Sequence, residues 1–137
     1  MKLYGLHLFV KDMAASLAFY RRLGLRFPDG SDAQVHVAVE LDGFELSFGT
    51  FALTRGYDSG FREARGGSPN SLQFEVAARP DVDRIYGELT KAGYTGHLAP
   101  HDAFWGARYA VVDDPDGNVV GFQSPVDPAM RSAGPDV

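Results

Sequence analysis

Residues Trp105–Gln123 read WGARYAVVDDPDGNVVGFQ, and this stretch decides the fold. Ala107–Val112 is apolar and rich enough in β-branched residues to predict a strand. The residues Asp114-Pro115-Asp116-Gly117 are typical of a tight turn, because Pro fixes φ and Gly tolerates a positive φ. An extended run then resumes at Val119. The stretch therefore predicts a buried β-hairpin near the end of the chain.

The start of the chain has a second copy near its middle. The sequence Leu72–Val76 aligns with Leu6–Val10 at a constant offset of 66 residues. Each segment alternates like a strand with one buried face. A helical pattern follows each copy, and Asp12 is the predicted N-cap of the first helix, Ala14–Leu23. Two copies of a unit that cannot bury its sheet alone indicate an internal duplication. The apolar stripes of the helices are Met13, Leu17, Tyr20 and Leu23, ended by Gly24, and Val82, Ile85, Tyr86 and Leu89, ended by Gly93.

Shorter extended runs complete each half as a strand, a helix and three strands. Asp42-Gly43 stands between two such runs and predicts a two-residue hairpin turn. Residues 50–70 predict a linker with one helical turn near Phe61–Ala64, and residues 124–137 predict a flexible tail that begins at Ser124. The two modules are therefore expected over residues 1–49 and 71–123. Their additional strands are predicted at Leu25–Phe27, Gln34–Leu41, Phe44–Phe48 and His97–Pro100.

Composition limits the classes of protein to which the chain can belong. Its 137 residues predict one domain with a real core, and its hydrophobic content of 45% is ordinary for a globular protein. The absence of Cys excludes disulfides and thiolate chemistry, and it fits a cytoplasmic protein. A formal net charge of −5 argues against nucleic acid as a partner. No apolar run is long enough for a membrane span, and the N-terminus lacks the cleavage pattern of a signal peptide.

The aromatic-Gly pair Trp105-Gly106, the DPDGN turn and the duplication together resemble the vicinal oxygen chelate superfamily. This superfamily contains glyoxalases, extradiol dioxygenases, fosfomycin-modifying enzymes and bleomycin-resistance proteins. The resemblance covers residues 3–123. It implies an α+β fold in which two tandem βαβββ modules form a cupped mixed sheet with helices on the outside. It also implies a homodimer.

The resemblance further implies where a metal ion would bind. In metal-dependent members, His on the first strand and Glu on the last strand of each module hold one divalent ion. Three of these positions fall at Gly5, Ser71 and Gly121, and the fourth at either Glu45 or Ser47. Glycine and a hydroxyl cannot replace imidazole and carboxylate on such an ion, so we expect no cofactor. The alternative is a divalent metal on displaced ligands, for which the candidates are His7, His36, Glu45 and Glu75.

The implied function is that of the branch resembling bleomycin-resistance proteins, in which a metal-free cup sequesters a small, partly aromatic molecule. One alternative is a lyase, isomerase or dioxygenase that uses a displaced metal. Acid–base catalysis at His7 or Glu45 and a dimeric scaffold with a vestigial cup are the others. The expected ligand-binding residues are His7, Phe9, His36, Glu45, Gln73, Trp105 and Arg108.

Two of these residues have more than one interpretation. Trp105 is either an aromatic platform for a planar or cationic ligand, or a lid or dimer contact. Arg108 either pairs with an acidic group of the ligand or forms a structural ion pair with Glu75 or Asp113. The structural pair is the favoured interpretation of Arg108.

Overall fold

The computed structural model describes residues 1–68 and 70–136, so Pro69 of the predicted linker and Val137 of the predicted tail lie outside the described residues. The chain divides into two compact units, Met1–Arg65 and Gly66–Val137, which we call the first and second units. The architecture is α+β, as predicted. The elements are β1 Gly5–Val10, α1 Met13–Arg22, β2 His36–Leu41, β3 Phe44–Thr50, α2 Phe51–Tyr57, β4 Ser71–Glu75, α3 Arg79–Lys91, β5 Gly96–Asp102, β6 Arg108–Asp113 and β7 Val119–Gln123.

The first unit is a three-stranded sheet in the order β1-β3-β2, with β1 parallel and β2 antiparallel to β3. Helix α1 begins as predicted, because the Asp12 side chain accepts a hydrogen bond from the Ala15 N–H at 3.0 Å. The helix packs Tyr20 against Phe48 of β3, with the ring centroids 5.2 Å apart. The predicted Asp42-Gly43 turn is confirmed, since both residues have positive φ, 49° and 84°.

Two predictions for the first unit are wrong. Leu25–Phe27 forms no strand. The Leu25 N–H donates a hydrogen bond to Tyr20 O at the C-terminus of α1, and the Phe27 ring packs on Phe48. The helical turn near Phe61–Ala64 is also absent. The helix of this segment is α2, which begins earlier because the Thr50 hydroxyl accepts a hydrogen bond from the Leu53 N–H.

The second unit follows the predicted order of a strand, a helix and three strands. Its sheet has the order β4-β7-β6-β5, with β4 parallel to β7 and the other neighbours antiparallel. The C-terminal hairpin is confirmed as β6, the turn and β7, with Gly117 at φ 83°. Helix α3 buries Val82 and Leu89 of its predicted stripe against this sheet. Strand β5 is longer than predicted and is irregular in its pairing with β6.

The tail that follows β7 makes defined hydrogen bonds where a loosely ordered segment was expected. Ser124 is buried, and its N–H donates to Arg108 O at 2.9 Å. Further along, Asp127 N–H donates to Gly106 O, and Ser132 N–H donates to Phe104 O. The loop before β6 therefore serves as a partner for the tail. None of the helices in the described residues is long and apolar enough to cross a membrane.

Candidate ligand-binding site

One face of the first sheet carries most of the polar residues predicted for the site. His7 of β1, His36 of β2, and Glu45 and Ser47 of β3 line a cleft of about 380 Å³. The N-terminal residues contribute the rest of the lining, among them Tyr4. The parallel ladder places His7 opposite Ser47 and Gly5 opposite Glu45. The sheet itself therefore brings these four residues together, as the alternation of the strands predicts.

His7 is the most constrained side chain of this cleft. Its Nδ1 is hydrogen-bonded to Ser47 Oγ at 2.8 Å, and its ring stacks on that of His36 with the centroids 5.7 Å apart. Its Nε2 is buried, and within the described residues it has no hydrogen-bond partner. A Cβ added to Gly49 would lie 2.5 Å from this atom, so only glycine leaves room for the ring. The His7 imidazole is thus fixed against the sheet.

The pKa of His7 lies below its ordinary value near 6.5. Burial of the imidazole is the largest cause, because desolvation disfavours the charged form, and the neighbouring His36 lowers the pKa further. Glu45 acts in the opposite direction and only partly offsets these effects. The lowered pKa therefore favours the neutral form of the His7 imidazole.

Phe9 continues the same face of β1 and is 42% exposed. Its ring contacts His7 with centroids 5.2 Å apart, and it contacts Phe61 at 5.0 Å. Phe61 in turn packs on Phe51 of α2. The segment predicted to be a linker thus folds back over β1, which sequence patterns could not show because Phe61 stands in an irregular stretch.

The second sheet has an equivalent face, built around β4 and the hairpin. The Gln73 side-chain amide donates to Ser71 Oγ at 2.6 Å and to Tyr109 Oη at 3.4 Å. The Trp105 indole donates from Nε1 to Gln123 Oε1 at 3.0 Å, and its ring meets Tyr109 edge-on at 5.2 Å. Trp105 and Tyr109 are both half-buried. Gln73 and Trp105, predicted as site residues, therefore lie with Tyr109 in one polar and aromatic cluster.

Sequence reasoning missed Tyr109, although a signal for it exists. Ala110 and Val112 are fully buried, and Tyr109 alternates with them along β6. Strict alternation assigns Tyr109 to the opposite face, next to Gly121 of β7. A Tyr within an apolar strand resembles an ordinary core residue, so sequence alone does not mark it as part of a site.

Arg108 lies apart from this cluster, and the predicted pairing is wrong. Its guanidinium binds both carboxylate oxygens of Asp83 on α3, at 2.7 and 2.9 Å, and also Asp102 of β5 at 3.2 Å. It pairs with neither Glu75 nor Asp113. The side chain points toward the helix because Arg108 shares its face of β6 with Ala110, away from Tyr109. Arg108 is therefore a structural residue of the α3 face.

Comparison with known proteins places the chain in a family. The family model of the Glyoxalase/Bleomycin resistance protein/Dioxygenase superfamily matches residues 3–122. The chain belongs to this superfamily. An uncharacterized protein of Mycobacterium bovis is 32% identical over 127 residues, which cover 88% of this chain and 81% of that protein.

Solved structures of similar proteins share the fold. A glyoxalase/bleomycin resistance protein/dioxygenase family enzyme from Burkholderia phytofirmans superposes with a TM-score of 0.76 at 22% identity, over 90% of this chain and 98% of that one. A protein of unknown function from Agrobacterium tumefaciens gives a TM-score of 0.69 at 28% identity, over 92% and 95% of the two chains.

The register of the two sheets distinguishes between Glu45 and Ser47 for the fourth metal position that the resemblance implies. His7 pairs with Ser47 in β3, and Gln73, which lies 66 residues after His7, pairs with Gly121 in β7. Ser47 is therefore the counterpart of Gly121, and Glu45 is not. The four positions carry Gly5, Ser47, Ser71 and Gly121.

These four residues do not fit a divalent ion. A Cβ at Gly5 would lie 2.5 Å from Glu45 O, and one at Gly121 would lie 2.5 Å from Tyr109 Oη and 2.6 Å from Gln73 Oε1. The space that an imidazole at Gly5 or a carboxylate at Gly121 would need is thus filled by protein atoms. The hydroxyls of Ser47 and Ser71 already bind His7 and Gln73. Elsewhere in residues 1–68 and 70–136, no group of three or more His, Cys, Asp or Glu side chains is arranged to hold a metal ion.

Proposed function

We propose that this superfamily member is a metal-free binding protein that sequesters a small, partly aromatic molecule. The observation that carries the proposal is the second sheet at Gly121, where Tyr109 and Gln73 fill the space that a metal-binding carboxylate would need. The same faces that carry the superfamily's metal positions remain lined with polar and aromatic side chains. A face of this composition is suited to stacking and a few placed hydrogen bonds.

The first unit supports the proposal with its cleft of about 380 Å³. This volume is within the range of small-molecule sites. Glu45 and the exposed His36 supply polar groups, while the neutral His7 and Tyr4 supply ring surface. A ligand here would be held by stacking on the imidazoles and by hydrogen bonds to the rim.

An enzyme is the second candidate, and the neutral His7 imidazole is the observation that favours it. A neutral imidazole at pH 7 is suited to general base catalysis. Its free nitrogen, however, is buried against Gly49, and its other nitrogen is engaged by Ser47. The same burial of Nε2 argues against His7 as a ligand of a displaced metal. Catalysis would therefore require movement of the ring, whereas ligand binding does not.

The test combines metal analysis with a ligand screen. Elemental analysis of the untagged protein, followed by calorimetric addition of Mn²⁺, Fe²⁺, Ni²⁺ and Zn²⁺, should show no stoichiometric site. A library of small aromatic compounds, screened by amide chemical shifts in NMR, should give binders whose shifts map to the cleft or to the Trp105 face. The matched variants are His36→Ala in the cleft and Tyr57→Phe outside it.

The results separate the candidates. Binding of one metal ion per chain that is lost in His7→Ala or Glu45→Ala would replace the proposal with a displaced-metal enzyme. Conversion of a bound compound without metal would support acid–base catalysis. A screen with no binder at all would overturn the ligand-binding function.

A further inference from the structure

The side chains over Gly121 form a recognition element with a definite chemistry. The amide of Gln73 and the hydroxyl of Tyr109 are 3.4 Å apart, and both stand within 2.8 Å of the place where a Gly121 Cβ would lie. They come from different strands, β4 and β6, on the two sides of β7. The two groups can approach each other only because Gly121, which lies between them, has no side chain.

Each of the two groups retains unused hydrogen-bonding capacity. The Gln73 side-chain N–H groups donate hydrogen bonds to Ser71 Oγ and Tyr109 Oη. Within residues 70–136 the Gln73 Oε1 has no hydrogen-bond partner. Tyr109 Oη accepts from Gln73, and within the same residues its own O–H has no acceptor. The pair therefore offers one acceptor and one donor side by side. Its complement is a ligand with an adjacent donor and acceptor.

The charges around the pair favour a neutral ligand. Strands β4, β5 and β7 carry no Lys or Arg, and the Arg108 guanidinium of β6 is tied to Asp83 on the other face. Glu75 lies two residues after Gln73 on the same face of β4. His101, which pairs with Tyr109 across the ladder, is hydrogen-bonded through Nδ1 to Ala99 O. An anionic ligand would therefore meet Glu75 with no Lys or Arg of β4, β5 or β7 to offset it.

Trp105 supplies the stacking surface beside the pair. Its indole is fixed by the hydrogen bond from Nε1 to Gln123 and by its edge contact with Tyr109. The ring is half-buried, so one part of it remains accessible. A planar ligand that stacks on Trp105 would bring its polar edge toward Tyr109.

We propose that Gln73 and Tyr109 are the specificity-determining residues of the second unit. They recognise the adjacent N–H and C=O groups of a cis-amide. The ligand class is a neutral, planar lactam or imide whose N–H donates to Gln73 Oε1 and whose C=O accepts from Tyr109 O–H. This inference rests on the proposed metal-free binding function and adds to it the chemistry of the ligand.

The test uses three probes of similar size, namely 2-quinolinone, its N-methyl derivative and 2-naphthoate. The Trp105 indole N–H and the side-chain amides, followed by NMR, report binding on this face. The protein should bind 2-quinolinone about three- to tenfold more tightly than the N-methyl derivative, which lacks the N–H. It should bind 2-naphthoate least, because the carboxylate has no donor for Gln73 and is repelled by Glu75.

Variants assign the effect to the two residues. Tyr109→Phe should weaken 2-quinolinone about three- to tenfold, and Gln73→Met should abolish the preference for 2-quinolinone over its N-methyl derivative. Tyr86→Phe, on the helix of the same unit, is the matched control and should leave all three affinities unchanged. Thermal melting confirms that each variant is folded.

The failures are distinguishable. Equal affinity for the two quinolinones, an unchanged affinity in Tyr109→Phe, or shifts confined to Met1–Arg65 would overturn the assignment while leaving the binding function intact. If neither these probes nor any compound of the library binds, the proposed function falls and this inference falls with it.

Discussion

The absence of a side chain at Gly49 leaves room for the His7 ring on the first sheet. The His7 ring lies so close to Gly49 that an added Cβ would stand 2.5 Å from its Nε2 and 2.9 Å from its Cε1. We predict that Gly49→Ala lowers the free energy of unfolding by about 1–3 kcal/mol, because either the ring or β3 must shift. Urea denaturation measures this change.

The control for this substitution is Gly87→Ala in α3. A Cβ at Gly87 meets no atom within 4 Å, and the residue lies inside a helix. There the same change should raise the free energy of unfolding by about 0.5–1 kcal/mol. Equal effects at the two positions would show that the His7 ring is not packed against Gly49.

The lowered pKa of His7 predicts a pH dependence of stability. A native pKa below the unfolded value near 6.5 means that the unfolded chain binds more protons between the two values. The stabilising contribution is therefore complete above about pH 6.5 and is lost as the pH falls through the native pKa.

The measurement is the free energy of unfolding of the wild type and of His7→Gln between pH 7.5 and pH 5. The wild type should lose more stability over this range than the variant, because only the wild type must protonate a buried imidazole. Parallel curves for the two proteins would contradict the prediction.

Single residues of the candidate site were predictable to the extent that strand alternation assigns faces. His7, His36, Glu45 and Gln73 face as predicted because each belongs to a strand with a period of two. The predicted ion-pair partners of Arg108 were wrong, because its actual partner, Asp83, lies 25 residues away on α3. Local pattern carries no information about such a contact.

At the scale of elements, the turn between β6 and β7 is organised by one carboxylate. Asp114 is buried, and its Oδ1 accepts hydrogen bonds from the N–H groups of Asp116 and Asn118 at 2.9 and 2.8 Å. Its Oδ2 accepts a third from Asn118 Nδ2 at 2.8 Å. The backbone of Asp114 also bonds to Asn118 and Gly117. The DPDGN sequence thus forms its turn largely by itself.

We predict that Asp114→Ala lowers the free energy of unfolding by about 2–3 kcal/mol, because the part-buried N–H groups of Asp116 and Asn118 lose their acceptor. Pro115→Ala, at an exposed position of the same turn, should change it by less than about 1 kcal/mol. Chemical denaturation with both variants measures the difference. A similar small loss in both would mean that backbone propensity alone makes the turn.

Element predictions were right where the periodicity was long and wrong where it was short. The alternation of Gln34–Leu41 and of Phe44–Phe48 predicted β2 and β3, and the four-residue stripe predicted α3. Leu25–Phe27 was too short for its pattern to distinguish a strand from an extended loop. Helix α2 contains Thr54, Gly56 and Tyr57, each of low helix propensity, and its N-terminus is capped by Thr50.

At the scale of the whole molecule, we propose the homodimer that the superfamily resemblance implies. Leu41 and Phe44 of the first unit are exposed large apolar side chains that pair across the β2–β3 hairpin. A neighbouring group of apolar side chains of this kind fits a protein interface.

Sedimentation equilibrium should give twice the mass of the chain. Phe44→Lys should shift the population toward the monomer, because a charge would be buried at the interface. Met130→Lys, at an exposed position of the second unit, is the control and should leave the mass unchanged. A wild-type monomer at all concentrations would contradict the proposal.

The sequence by itself determined the duplication, the α+β class and the C-terminal hairpin, because these depend on periodicity and turn chemistry within short segments. The resemblance seen in the sequence also implies that the superfamily metal positions fall at Gly5, Ser71 and Gly121. Only the tertiary structure decided that Ser47, rather than Glu45, is the counterpart of Gly121. It alone also decided that the Tyr109 and Gln73 side chains occupy the space over Gly121. The reason is that register and side-chain packing join residues far apart in the chain, which no local pattern encodes.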